Sequence, residues 1–357
     1  MPLSQQTVDE ALPRRGSFNA IIDVRSPSEF ADDHLPGALN WPVLDDAERA
    51  IVGTLYVQVS PFEARKRGSA IVARRIAEHI EREIQDKPRD WQPLVYCWRG
   101  GERSGAMAYL LAQIGLRVVQ LKGGYKAYRA RVREDLLSLP GRLRWCVVGG
   151  RTGSGKTRLL HALAAQGAQV LDLEALAAHR GSVLGRLPGQ PQPRQKAFES
   201  ALWSQLQAFD PARPVFIESE SARIGQLRVP EALLAAMHGA TEAVHVQLDL
   251  PGRIALLLDE YAFFTEQVGP FCDTLDALIE LRGRATVERW QAQARAGQWP
   301  DCLAELLERH YDPLYDRSIL RDFPAMAQAR ALPVAGPTVA DFAQAAAALL
   351  SAGDAPT

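Results

Sequence analysis

The sequence predicts an α/β fold with mainly parallel sheets, laid out as two successive domains, and three observations carry that reading. Apolar runs short enough to be strands alternate with segments of helical period. Two of those runs end in a glycine-rich loop that leads into a helix, an order that presents backbone N–H groups to an anion at the helix N-terminus. Between the two units stands Pro140-Gly141, the expected boundary between residues 1–140 and 141–357.

In chain order, residues 20–24 (Ala-Ile-Ile-Asp-Val) read as a strand. Residues 93–97 (Pro-Leu-Val-Tyr-Cys) form the next, followed by the loop 98–104 and a helical pattern over 105–114. Residues 117–121 close this half with another strand. In the second half, residues 143–148 (Leu-Arg-Trp-Cys-Val-Val) precede the loop 149–155 and a helix from Lys156. Residues 168–172, 213–218 and 243–248 read as further strands, 181–194 as an exposed loop, and 253–310 as mostly helical. The predicted whole is a small parallel-sheet domain, then a P-loop domain of the nucleoside-triphosphate-hydrolase type with a helical C-terminal part.

The chain has 357 residues, 47% apolar and 23% charged, which excludes wholesale disorder and fibrous repeats. No apolar run approaches the ~18 residues of a membrane span; the longest candidate, residues 345–350, is far shorter, so no membrane association is expected. The first 20 residues lack an apolar secretory core. Cys97, Cys146, Cys272 and Cys302 are scattered without paired or zinc-ligand spacing, so neither disulfides nor a metal site is expected and a reducing cytoplasm is the expected compartment. Net charge is −1, yet residues 61–133 hold 16 basic and 7 acidic groups, and only 6 of the 41 basic residues are Lys. Arginine suits bidentate phosphate contacts. The basic stretch, with Arg65, Lys66, Arg67, Arg74 and Arg75, is therefore the candidate contact for a polyanion.

A reactive cysteine must be held as its thiolate, and a concave loop of amides, a following helix N-terminus and nearby arginines all favour that form. Cys97 has all three in Trp98, Arg99, Gly100, Gly101, Glu102, Arg103 and Ser104, with the glycines permitting the curve and Arg99 and Arg103 supplying charge. The stretches Asp23-Val-Arg-Ser-Pro-Ser-Glu-Phe30, Asp33-His-Leu-Pro-Gly-Ala-Leu-Asn40 and Gln120-Leu-Lys-Gly-Gly-Tyr-Lys-Ala-Tyr128 resemble the signatures of rhodanese domains. That resemblance implies that Cys97 carries sulfur or selenium as a persulfide or perselenide. One departure stands out: five residues, not four, separate Cys97 from Arg103, a spacing shared with cysteine-dependent phosphatases and wide enough for a tetrahedral oxyanion. Tyr96 occupies the place where such phosphatases usually carry His.

The second loop, Gly150-Arg151-Thr152-Gly153-Ser154-Gly155-Lys156-Thr157, matches the phosphate-loop pattern in its required strand-to-helix setting. Its amides and Lys156 are suited to a diphosphate, and Thr157 offers a ligand position for Mg2+. Asp172 and Glu218, each ending a strand, are the candidate acids, with Glu220 two residues beyond.

Together, the two units resemble the tRNA 2-selenouridine synthase family, most closely at residues 96–104, 149–157, 179–182, 191–193, 216–225 and 311–315. The resemblance implies S-geranylation of wobble 2-thiouridine in tRNAs for Lys, Glu and Gln with geranyl diphosphate. Replacement of the geranylthio group by selenium from selenophosphate then follows. It further implies these two cosubstrates without a tightly bound cofactor, and a selenophosphate-supplying enzyme as a partner. A cysteine-dependent phosphatase or a sulfur carrier with a nucleotide-binding module are the alternatives. His179, Arg180 and Arg223 fall in family-like stretches without an assigned role, and no pocket for a geranyl chain is legible.

Overall fold

The structure is a computed structural model, and it describes residues 3–181 and 189–352. The chain forms two compact units: residues 1–136 with 194–204, and 137–193 with 205–357.

In the first unit five parallel strands, β1 (Leu3–Gln6), β2 (Ala20–Asp23), β3 (Ala38–Asn40), β4 (Pro93–Tyr96) and β5 (Val118–Leu121), lie in the order β1-β5-β4-β2-β3. The inner strands are buried and mainly apolar because helices cover both sheet faces, with Asp23 and Gln120 the buried polar exceptions. Ile22, Val95, Val118, Met107 and Leu111 are buried in one core. Helices α1 (Asp46–Gln58) and α2 (Pro61–Glu83) form a hairpin; α3 (Glu102–Ile114) and α4 (Gly124–Ser138) follow β4 and β5. Asp45 and Ser60 cap α1 and α2 by accepting from backbone N–H groups of the first turns. The predicted helix 105–114 in fact begins at Glu102, so Glu102, Arg103 and Ser104 are its first turn and not part of the loop. Gly101 is the N-cap, with φ −101° and ψ −138°, and a glutamate is favoured by the helix dipole at that end.

The second unit holds another five-stranded parallel sheet: β6 (Arg144–Gly149), β7 (Gln169–Leu171), β8 (Pro214–Glu218), β11 (Glu242–Gln247) and β12 (Arg330–Pro333), ordered β12-β11-β6-β8-β7. A short antiparallel ribbon, β9 (Arg223–Ile224) and β10 (Leu227–Arg228), follows β8. Helix α5 (Lys156–Ala165) leaves the phosphate loop and α6 (Leu173–Ala177) follows β7. Strand order reverses beside β6, whose C-terminal end is thus the switch point where such sheets bind ligands. Residues 250–322 are mostly helical, including α8 (Leu250–Glu260) and α9 (Asp312–Asp322), with a separate core around Phe271, Trp290 and Leu306. The last helix, α10 (Val339–Ser351), buries Phe342 and Ala346 in the main core.

Helix α7 (Gln195–Leu206) has its residues 195–204 in the first unit although the segments on either side of it in sequence belong to the second. Trp203 is buried there, donating through Nε1 to Asp135 at 2.8 Å and meeting Tyr128 edge-on at 5.6 Å between centroids. Ser200 donates to Asp33 Oδ2 at 3.0 Å, and Arg129 pairs with Glu199. Of the expected exposed loop 181–194, residues 182–188 lie outside the described residues, as does Ser182 of the stretch 179–182.

Candidate functional site

Cys97 follows β4 directly and is buried (4% exposed). Its curved loop rests on the turn after β5. Gly100 and Gly124 both have positive φ (65° and 56°), and a Cβ on Gly124 would stand 2.2 Å from Cys97 O and 2.5 Å from Gly100 N. Only glycine permits that approach, which gives the Gly123-Gly124 pair its physical reason. Tyr125 and Lys126 N–H then donate to Cys97 O and Trp98 O, both at 2.9 Å, locking the loop to α4. Ser104 Oγ donates to Cys97 Sγ at 3.2 Å.

Arg25 lies behind this loop. It is buried, paired with Asp23 at 2.6 Å, donating to Asp33 O at 2.6 Å, and stacked 3.9 Å from the Tyr125 ring centroid. Tyr125 OH donates to Asp33 Oδ2 at 2.9 Å; burial raises the Asp33 pKa, against the opposing effect of its hydroxyl donors and Arg129. The Asp23-Val-Arg25 and Asp33 motifs are therefore a brace for the loop, not reactive groups. His34 likewise faces Phe30 O at 2.9 Å.

Of the residues expected around Cys97, Trp98 is partly exposed with its ring 5.3 Å from that of Tyr125. Arg103 is paired with Glu29 at 3.0 Å, and Glu29 also binds Arg49 at 2.8 Å. Burial would raise the Glu29 carboxyl, but Arg103 and Arg49 outweigh it and hold it below its ordinary range. Glu102 turns outward to Arg65 at 2.9 Å, clear of the anion loop. Among the other basic candidates, Lys66 pairs with Glu63, and Arg75 with Asp45, Glu48 and Glu78. Arg67 and Arg74 are exposed and have no ion pair among the described residues.

Sequence reasoning missed a large feature of this unit. A cavity of about 970 Å3 opens beside Cys97, Trp98 and Arg99, walled by α1, α2 and α3. Val52, Tyr56, Val72, Ile76, Tyr109 and Leu110 make its surface largely apolar. Its walls come from residues far apart in sequence, so no local pattern announces it.

In the second unit Gly153 and Gly155 adopt positive φ (77° and 82°), and a Cβ on Gly155 would lie 2.1 Å from the Phe342 ring. Lys156 Nζ donates to Gly150 O at 2.9 Å, and Ser154 Oγ is buried without a partner among the described residues. Buried Arg253 clamps the loop: it donates to Thr152 O at 2.9 Å and forms a two-pronged pair with Asp312 at 2.6 and 2.9 Å. Arg151 pairs with Asp316 at 2.7 Å. These contacts account for the stretch 311–315, whose Asp312 supports the loop through Arg253.

The candidate acids divide. Asp172 caps α6 through Ala175 N at 2.8 Å and meets His161 Nε2 at 2.9 Å. Glu218 is buried and accepts from Leu173 and Glu174 N–H at 2.7 and 3.0 Å, a cap from a neighbouring strand; burial holds its carboxyl well above the ordinary range. The acid bonded to Thr157 of the loop was not foreseen: Glu174 Oε2 accepts from Thr157 Oγ1 at 3.1 Å. Burial raises Glu174 despite Lys156 and Thr157, while burial and then Glu174 push Glu220 up to about 7. The family-like residues nearby hold the frame. Arg180 donates to Glu260 O at 2.9 Å and stacks on Tyr261, Gln192 ties Ala177 O to Ile224 O, His179 is buried, and Arg223 is exposed on the ribbon. Cys146, Cys272 and Cys302 are buried free thiols; burial pushes Cys146 and Cys302 up to about 12.

A second apolar cavity touches the phosphate loop at Thr152 and runs between Leu257, Phe264 and Trp299, but holds only about 40 Å3. No helix among the described residues is long and apolar enough to cross a membrane.

Residues 4–131 match the rhodanese-like domain family, and residues 143–275 match the family described as the tRNA 2-selenouridine synthase AAA domain. Three relatives carry the name tRNA 2-selenouridine synthase. The one from Sulfurovum sp. (strain NBC37-1) is 33% identical, over 88% of this chain and 94% of its own. That from Nitrosomonas europaea is 34% identical, over 74% and 71%. That from Psychromonas ingrahamii is 37% identical, over 83% and 86%.

Proposed function

Because this chain belongs to the tRNA 2-selenouridine synthase family, we propose that it geranylates wobble 2-thiouridine of tRNA and then exchanges the geranylthio group for selenium. In the first step the thiouridine sulfur attacks C1 of geranyl diphosphate, the C1–O bond breaks and diphosphate leaves. In the second, the geranylated base, selenophosphate and water give selenouridine, geranylthiol and phosphate. Residues 141–357 serve the first step and residues 1–140 the second.

The carrying observation is the cavity of about 970 Å3 beside Cys97. A sulfur carrier or a phosphatase handling a small anion has no use for it, whereas a ten-carbon geranylthio group has both the room and the apolar walls it needs there. Its volume is in the ~300–1,000 Å3 range of small-molecule sites; the cavity at Thr152, about 40 Å3, is far below that range. At about 0.8 kcal/mol per buried methylene, the chain contributes up to roughly 8 kcal/mol of gross binding. Alkylation thus both improves the leaving group and supplies an apolar handle that seats the base at Cys97.

At the phosphate loop, Lys156 and the amides from Gly150 to Thr157 neutralise the departing diphosphate. Mg2+ binds most often through one or two protein oxygens plus substrate phosphates, and Thr157 with Glu174 are the oxygens that would hold it. The tRNA backbone follows the basic face of α2, and its unpaired anticodon-loop bases are open to being turned out. The proposed substrates are the tRNAs for Lys, Glu and Gln, and an enzyme supplying selenophosphate is the proposed partner.

Nucleoside mass spectrometry on purified protein with 2-thiouridine tRNA, geranyl diphosphate and selenophosphate tests this reading. Wild type is expected to make geranylthiouridine without the selenium donor and selenouridine with it. Lys156→Ala should stop before geranylation and Cys97→Ala after it. Leu110→Glu, at a partly exposed wall of the cavity, should slow selenation of geranylated tRNA at least tenfold. Thiouridine left untouched by wild type would return the chain to the phosphatase or carrier reading.

A further inference from the structure

A run of hydrogen bonds leads from the sheet edge to the Cys97 sulfur. Gln5 of β1 donates through Nε2 to Gln120 Oε1 at 3.0 Å, which turns the Gln120 amide nitrogen toward the cysteine loop. That nitrogen belongs to a buried side chain (4% exposed) and lies 2.9 Å from Gly100 O, 3.0 Å from Ser104 Oγ and 3.3 Å from Gly101 O. Ser104 Oγ therefore receives a hydrogen bond and has one proton of its own to give. Two acceptors are in reach, Cys97 Sγ at 3.2 Å and Gly101 O at 3.3 Å. The Gln120 amide nitrogen has two protons, and its two nearer acceptors are Gly100 O and Ser104 Oγ. Gly101 O already accepts from Gly105 N–H at 2.9 Å, so the sulfur, at the shorter distance, is the acceptor Ser104 uses.

We propose that Gln120 is a positioning residue for the cysteine: its amide proton takes the Ser104 lone pair that faces it, so that the Ser104 hydroxyl points its own proton at the Cys97 sulfur and favours the thiolate. Gln120 touches no substrate and acts through Ser104. The proposal rests on Cys97 being the thiol of the selenium step, but it concerns the thiol itself and can be read without that reaction. Arg49 of α1, Arg65 of α2, and Arg99, Glu102 and Arg103 after β4 line the same cavity as Cys97. Arg103 and Arg49 are tied to Glu29, and Glu102 to Arg65. Changing Gln120 leaves all of these charges in place.

The test is the pH profile of iodoacetamide alkylation at Cys97, followed peptide by peptide in the full chain. Cys97 borders the cavity, and reading its own peptide keeps the other three thiols out of the profile. Gln120→Leu is expected to move the midpoint up by about one pH unit, which is about tenfold slower labelling at a fixed pH below it. Ser104→Ala should do the same, and Gln120→Leu added to Ser104→Ala should move it no further. Gln5→Leu, at an exposed position that leaves folding intact, should shift the midpoint in the same direction by less. An unmoved midpoint in both Gln120→Leu and Gln5→Leu overturns the proposal. So does an equal shift when Gln120→Leu is added to Ser104→Ala, since Gln120 would then act by another route. Profiles that shift as expected in a protein making no selenouridine would leave this proposal standing and remove the functional one.

Discussion

Glu220 shows how one side chain links the phosphate loop to pH. Burial, and then the neighbouring Glu174, raise its carboxyl to about 7 from an ordinary 4.5, against the pull of Lys156. A raised carboxyl is favourable to folding while both folded and unfolded chains are protonated, below about 4.5. That contribution is lost as pH climbs through 7, because the unfolded chain ionises first. Glu220→Gln is accordingly expected to melt several degrees above wild type at pH 8 and close to it at pH 5, by differential scanning calorimetry. An advantage of equal size at both pH values would mean that packing, not charge, is what Gln changes. The neighbouring acids were only partly readable from sequence. Glu218 ends a strand and Asp172 follows one, which made them visible, but both cap α6. Glu174 is in the first turn of a short helix, and its contact with Thr157 depends on how α6 meets α5.

Among the elements, the turn between β5 and α4 does most to shape the cysteine loop. Gly124→Ala places a methyl group 2.2 Å from Cys97 O at a φ of 56°, where backbone must move. Alanine at positive φ already costs on the order of 1 kcal/mol, and the clash adds to it. Selenation by this variant is expected to fall at least a hundredfold, with geranylation kept within about threefold, in the nucleoside assay. Loss of both would place the defect in folding. Strands inside the sheets were legible because burial on both faces leaves continuous apolar runs, as in Val147-Val148 and Val215–Ile217. Three of the four edge strands were not: β1 (Leu-Ser-Gln-Gln), β3 (Ala-Leu-Asn) and β12 (Arg-Ala-Leu-Pro) are short and carry polar residues or proline, as edges tolerate. The start of α3 was displaced by three residues because Glu102, Arg103 and Ser104 carry loop-like composition into a first helical turn.

At the scale of the whole molecule, net charge is −1 and half of the 16 basic residues at 61–133 are tied into ion pairs among the described residues. Phosphate contacts each lower the dependence of log affinity on log salt by about 0.7–0.9 when removed. Arg67→Ala with Arg74→Ala should therefore flatten the tRNA salt slope by about 1.5, as measured by filter binding at several ionic strengths. Arg75→Ala, which would strand Asp45, Glu48 and Glu78, should lower stability and leave the slope nearly unchanged. A slope unaltered by the double variant would move the tRNA path off this face of α2. The sequence read the basic surplus correctly but could not separate cations committed to ion pairs from those still open, because Asp45 and Glu48 reach Arg75 from another helix.

The helix over residues 195–206 has one more consequence. The backbone passes between the two units after residues 136, 193 and 204, so the halves are interlaced along the gene and not merely strung together. A fragment ending at residue 140 leaves Tyr128, Asp135 and Asp33 without Trp203 and Ser200, and an apolar, half-satisfied scar faces water. Recombination at a single point would inherit that scar, so an exchange of either half between relatives needs a second segment to travel with it.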